Sequence, residues 1–148
     1  MTVLGVRVTE EVWGVHTMHA FCTYCSAAKS PEEGEIPAIQ RYLDRRIHKV
    51  CEAAAVLGLE FYILSGEFGL IPPDRPIPWY DHLLLPDEVD ELVERMVAQI
   101  RHHRIDSITY FTNALSDEPD LVPYHSAIVS ACNRAGCPCS IVEVEMED

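Results

Sequence analysis

Apolar positions follow two rhythms along this chain. Short dense runs suit strands, and longer stripes with three- and four-residue steps suit helices. Residues 3–8 read as a short strand, with a turn near Thr9 and Glu10. Residues 12–21 read as the first main strand, and a long loop over residues 22–35 follows. Ile36, Ile39, Leu43, Ile47, Val50, Ala54 and Leu57 then form one continuous stripe, the clearest helical signal in the chain. Pro37 suits its first turn and Gly58 its stop. Phe61-Tyr62-Ile63-Leu64 is wholly apolar, as expected for a strand covered on both faces.

A second loop, residues 65–86, carries Pro72, Pro73, Pro76 and Pro78, which argue against a ladder or helix there. Asp87 opens a second helix with Asp90 as a capping acid, and Val89, Leu92, Val93, Met96 and Ile100 point inward. Residues 107–112 form a third strand. A third helix follows Pro119, with Leu121, Tyr124, Ile128 and Cys132 inward and Gly136 at its end. In residues 141–146, Val142, Val144 and Met146 alternate with Glu143 and Glu145, the mark of an edge strand with one wet face. This alternation predicts a single α/β domain over residues 1–148. The expected architecture has three layers: a mostly parallel four-stranded sheet, with an extra N-terminal strand as an option, and helices on both faces. Ligands of such sheets bind beyond the carboxyl ends of the strands, so the loops 22–35, 65–86 and 113–119 become candidates.

Charge narrows the partners. The formal net charge is -13 and the only lysines are Lys29 and Lys49. Such a chain is repelled by phosphate backbones, which argues against non-specific DNA coating. Arg41, Arg45, Arg46, His48 and Lys49 gather on the first predicted helix and read as a solvated face with ion pairs. No apolar run reaches bilayer-spanning length, and the N-terminus lacks the pattern of a signal peptide, so the expected location is cytoplasmic, with no membrane partner. In that compartment Cys22, Cys25, Cys51, Cys132, Cys137 and Cys139 read as free thiols, small buried groups or metal ligands.

The first loop, Phe21-Cys22-Thr23-Tyr24-Cys25-Ser26-Ala27-Ala28-Lys29, has the small residues and rim lysine of an anion-binding turn, but no Walker glycines. In the second, Ser65-Gly66 directly after a buried strand permits a sharp turn, and Gly69 suits a positive φ. A long proline-stiffened loop is more often functional than idle. His16, His19, Cys22 and Cys25 are spaced by threes and are acceptable zinc ligand types. On a strand, however, His16 and His19 point to opposite faces, and Cys137 and Cys139 lie at the far end of the sheet. Neither a metal nor a cofactor is expected. His102 and His103 close the second helix, where cations suit the carbonyl ends. Asn113 ends the third strand on the candidate edge, and His125 lies on the helix after it.

Ser26-Ala27-Ala28-Lys29 resembles the Ser-Pro-Ala-Lys opening of the YaaA peroxide-stress family. Ile63-Leu64-Ser65-Gly66-Glu67-Phe68-Gly69-Leu70, with Asp74, Ile77 and Tyr80, resembles that family's Leu-Ser-Gly-x-Tyr-Gly-Leu and Asp-x-Ile-x-x-Tyr segment. Cys25-Ser26-Ala27-Ala28-Lys29 and Tyr80-Asp81-His82-Leu83-Leu84 are closer still to the bacterial and phage domain-of-unknown-function family number 6884. Cys25 and Lys29 also share the Cys-x-x-x-Lys spacing of archaeosine synthase, a transfer-RNA modification enzyme. The resemblance implies a site containing Ser26, Lys29, Ser65, Gly66, Asp74 and Tyr80. YaaA proteins are associated with DNA binding and protection from oxidative damage. Asp81 stands where they tend to carry arginine, which together with the acidic charge argues against DNA binding here.

Three function classes fit. The first is an enzyme acting on a nucleoside, nucleotide or modified base. Lys29, Cys25 and Asp74 are its candidate catalytic residues: Lys29 for negative charge, Cys25 as nucleophile, and Asp74 or Asp81 as base or to orient a ribose or amine. Ser26, Ser65, Gly66, Tyr80, Asp81 and Asn113 are the candidate substrate-binding residues, with Trp79 beside Tyr80 as stacking surface. The second class is a non-catalytic stress-response or nucleic-acid-associated binding domain, with DNA or RNA as partner. The third is a zinc-stabilised interaction module. No oligomeric state is implied.

Overall fold

The computed structural model describes residues 17–145. In chain order they form β1 (His19–Tyr24), β2 (Ile36–Pro37), α1 (Ala38–Arg41), α2 (Arg45–Leu57), β3 (Glu60–Ser65), β4 (Gly69–Ile71) and β5 (Pro76–Ile77). A 3-10 turn (Pro86–Glu88), α3 (Val89–His103), β6 (Ser107–Thr112), a second 3-10 turn (Pro119–Leu121), α4 (Val122–Ala135) and β7 (Cys139–Glu143) complete the order. The strand expected over residues 3–8, and the start of the one expected over 12–21, lie outside the described residues.

The fold is α/β, built on a mixed, mostly parallel sheet ordered β4-β3-β1-β6-β7. β1 pairs parallel with both β3 and β6, and β6 pairs parallel with β7. The sheet has five strands rather than the expected four. The fifth comes from the proline-bearing loop: Gly69 at φ 78° turns the chain back, and Gly69–Ile71 ladders antiparallel on β3 before the first proline arrives. Further along, Pro76–Ile77 pairs with Ile36–Pro37 as a separate two-stranded ribbon. The prolines therefore confine the ladders to short edges and do not abolish them.

α2 contacts β1 and β3, while α3 and α4 pack on each other, α3 reaching β4 and α4 reaching β7. The inward stripes of α3 and α4 are those expected, including Leu92, Met96, Ile100, Tyr124, Ile128 and Cys132. β7 is the expected edge strand, but it starts at Cys139, and Ile141 and Val142 on opposite faces are both more than a third exposed. No helix among the described residues is long and apolar enough to cross a membrane.

Two corrections concern the first helical stripe. It is not one helix: Tyr42 is extended and forms an antiparallel bridge to Lys29, and Asp44 starts a new helix by accepting from the Arg46 amide at 2.9 Å. An aspartate at an N-cap satisfies an otherwise orphaned amide, so the break has a local cause that apolar periodicity does not register. Leu43, at the break, falls outside the buried set, as does Leu57 at the end of α2. The basic cluster, moreover, is not simply a solvated face. Arg41 is fully buried and donates to the carbonyls of Ser30, Glu32, Gly34 and Ile77. Arg46, 1% exposed, donates to Thr23 Oγ1 at 2.6 Å and to Tyr24 O at 2.7 Å. A guanidinium's rigid fork of five donors lets one side chain satisfy several loop carbonyls at once, and this is what takes both cations inside.

Candidate functional site

β1 and β6 are neighbours whose chain connections leave in opposite directions, β1 onward to β3 and β6 onward to β7. A crevice opens where neighbouring strands diverge in this way, beyond their carboxyl ends. A cavity of about 600 Å³ lies there. Its walls come from the loop after β1 (Cys25, Ser26, Lys29), the start of α2 (Asp44, Arg45, Arg46), the segment before α3 (Asp81, His82, Leu83), and the stretch after β6 (Asn113, Glu118, Asp120, Tyr124).

The loop after β1 is held from beneath. The Cys25 amide extends the β1–β3 ladder by donating to Leu64 O at 2.9 Å, and Arg46 secures the carbonyls of Tyr24 and Cys25. Ser26 Oγ closes a local turn on Ala28 O at 2.8 Å, and the Leu43 amide donates to the same carbonyl. The following Lys29–Tyr42 bridge fixes the lysine backbone. Lys29 Nζ then sits 4.5 Å from the centre of the Tyr80 ring, with Ala27 O at 3.5 Å.

Tyr80 ties that lysine to the serine-glycine bend. Its hydroxyl bonds Ser65 Oγ at 2.9 Å and also meets the Tyr42 hydroxyl. Ser65 is fully buried, and its Oγ accepts from the amides of Glu67 and Phe68, which makes the bend. Gly66 is packed tight: a Cβ there would lie 3.2 Å from Leu84 Cβ and 3.3 Å from the Tyr124 hydroxyl. That hydroxyl accepts from the Leu84 amide at 3.0 Å and lies 4.0 Å from Cys25 Sγ on the cavity floor. Burial pushes the Tyr42, Tyr80 and Tyr124 phenols up, so they act as neutral hydrogen-bonding groups at ordinary pH.

The expected site residues thus divide. Cys25, Ser26, Lys29, Asp81 and Asn113 line the cavity together. Tyr80 lies directly beneath Lys29, and Ser65 and Gly66 form a supporting layer that does not line it. Asp74 is a different case. It is exposed, in the turn closed by the Arg75 amide on Pro72 O, and it lies outside the cavity lining. Trp79 is exposed and also outside it. His125 carries a buried Nδ1 with no protein partner, away from the cavity lining. Asn113 donates to Glu118 Oε2 at 2.7 Å, coupling the two ends of that loop.

Other lining residues escaped the sequence reading as site residues, among them Asp44 and Arg46, hidden inside a stripe read as one helix, together with His82, Glu118 and Tyr124. His82 had a signal of sorts, since it lies within the Tyr80-Asp81-His82-Leu83-Leu84 segment; its partners, Glu67 and Glu88, come from elsewhere in the chain.

Among the described residues no group of three or more histidine, cysteine or acidic side chains is arranged to hold a metal ion. Both His19 ring nitrogens are engaged by Ser107 and Thr109, and burial pushes the Cys22 thiol well up. No protein-family model, no curated protein and no solved structure matches the chain.

Proposed function

We propose that this cavity binds a small ligand of the nucleoside, nucleotide or modified-base class, and that the chain is a cytoplasmic, YaaA-like domain acting on that ligand. The observation carrying the proposal is the placement of Lys29. Its ammonium stands over Tyr80 at the rim of a cavity at the strand-divergence point, and among the described residues its hydrogen-bond contact is the Ala27 carbonyl at 3.5 Å. Lys29 contacts the phosphate or other anionic group, Ser26 supports it, and Asp81 and Asn113 engage ribose or base. Cys25 on the floor is the candidate nucleophile, in reach of the Tyr124 hydroxyl. Asp74 has no part in this proposal, since it is exposed elsewhere.

The layering belongs to the same proposal. α2 on one face of the sheet and α3 with α4 on the other would enclose the crevice, and the right-handed rule for parallel crossovers supports that arrangement. A DNA- or RNA-associated domain and a zinc module are the weaker readings, given a net charge of -13 and the lack of a ligand cluster among the described residues.

A thermal-shift screen of nucleobases, nucleosides and nucleotides tests the reading. A binder present at a hundred times its Kd is expected to stabilise the parent by about 2.7 kcal/mol. Lys29→Ala is expected to keep the fold and weaken a phosphate-bearing ligand roughly 10- to 100-fold, or about 1.4–2.7 kcal/mol. Equal stabilisation of parent and variant, or none of the parent by any member of the screen, would overturn it.

A further inference from the structure

The segment between β5 and the 3-10 turn at Pro86–Glu88 has no regular structure, yet alternate residues pin it down. Tyr80 reaches Ser65, His82 lies between two carboxylates, and buried Leu84 donates its amide to the Tyr124 hydroxyl. Between these anchors, Asp81 and Leu83 form cavity wall together with His82. The middle anchor differs from the other two in being titratable near neutral pH. Glu67 Oε1 lies 2.6 Å from His82 Nδ1, and Glu88 Oε1 lies 2.9 Å from Nε2. A neutral imidazole carries one N–H and can serve only one of these acceptors, whereas the imidazolium serves both. The clamp joins three places: the turn after β3, the strap itself, and the 3-10 turn before α3. Glu88 Oε1 also accepts from the Leu85 amide at 2.9 Å, so the strap's exit is tied to the same carboxylate.

We propose that His82 is a proton-operated latch on this strap: the cavity wall is fixed while the imidazole is charged and loosens when it gives up its proton. The proposal rests on the reading of the cavity as a ligand site and adds the regulation of that site. Glu67 and Glu88 hold the ring, Arg95 from α3 donates to the Glu67 carbonyl at 2.7 Å, and Asp81 adjoins it on the strap. Lys29 stands over Tyr80 at the start of the strap, and Asp44, Arg45, Arg46, Glu118 and Asp120 line the same cavity.

Hydrogen bonds to Glu88 and then Glu67 hold the His82 pKa above its ordinary value, and the bond to His82 holds Glu88 below its own. The sign follows. A raised histidine pKa means stabilisation that is complete below the unfolded value of about 6.5 and lost as pH rises through the folded value. On the acid side the clamp fails as pH falls through the lowered Glu88 value.

Hydrogen exchange of the Leu84 and Leu85 amides in the full chain reads the latch directly. After correction for intrinsic rates, protection is expected to fall at least about tenfold between about pH 6 and about pH 9. His82→Gln is expected to show the low protection at both pH values, and Glu67→Gln to move the transition to lower pH. Protection that is independent of pH in the parent, or a parent-like profile in His82→Gln, would overturn the latch. Nucleotide binding together with pH-independent strap exchange would overturn the latch alone. Exchange as expected with no nucleotide bound at either pH would overturn the ligand-site reading, and with it the strap's role as a gate.

Discussion

Replacing Arg46 with methionine is expected to lower the unfolding free energy by about 3–5 kcal/mol, the largest effect of any single change considered. The guanidinium is 1% exposed and bonds Thr23 Oγ1, Tyr24 O and Cys25 O, with Asp44 at 3.2 Å. It also stacks 3.5 Å from the centre of the Tyr24 ring. Methionine fills much of the space of the stem, so the cost is mainly polar. Two carbonyls at the carboxyl end of β1 lose their donor, each worth about 1–3 kcal/mol when left buried and unpaired. Thr23 fares better, because its hydroxyl also bonds Phe111 O. Arg46→Lys is expected to recover little, since an ammonium cannot reproduce the fork. Urea denaturation measures the change, and a loss below about 1 kcal/mol would show that the guanidinium does not hold the strand end. Arg41→Met should cost less, because three of the carbonyls it binds belong to the 30–34 stretch of a largely exposed loop, where water can replace it.

Gly69→Ala is expected to cost about 2–4 kcal/mol, for two reasons that can be separated. Gly69 has φ 78°, where an L side chain is strained by roughly 1–2 kcal/mol. An added Cβ would also collide with the Gln99 side chain. Gln99 is already committed, accepting from the Leu70 amide at 2.7 Å and donating to Phe68 O at 3.0 Å. Displacing it forfeits both bonds and loosens the turn that carries Glu67. The double variant Gly69→Ala with Gln99→Ala is therefore expected to cost clearly less than the sum of the single changes. Additive losses would mean that the collision contributes nothing and backbone strain alone accounts for the effect.

Local pattern revealed the parts of the fold that local pattern controls. The buried run at Phe61–Leu64, the inward stripes of α3 and α4, and the stops at Gly58 and Gly136 follow from apolar period and positive-φ glycines. The loops that form the cavity were legible because parallel sheets present their strand ends on one side. What stayed hidden depended on distant partners. Asp44 caps a helix inside an apparently continuous stripe because residues 28 and 29 occupy the backbone beside it. Arg41 and Arg46 look solvated until the carbonyls that surround them are known. Asp74 sits in a stretch read as part of the site, yet its turn braces β2 and α1, where the Ala38 and Ile39 amides meet the carbonyls of Arg75 and Pro73. His82 is unremarkable in sequence because Glu67 lies fifteen residues before it and folds back onto it.

Titrating the isotopically labelled protein with the nucleotide that stabilises it most, and following backbone amide resonances, tests the central claim most directly. The expected result is a set of shifts concentrated at Cys25 to Lys29, at Asp81 to Leu83 and at Asn113, three of the four walls of the cavity at the ends of β1 and β6. Shifts gathered on another surface, with those three stretches unmoved, would contradict it.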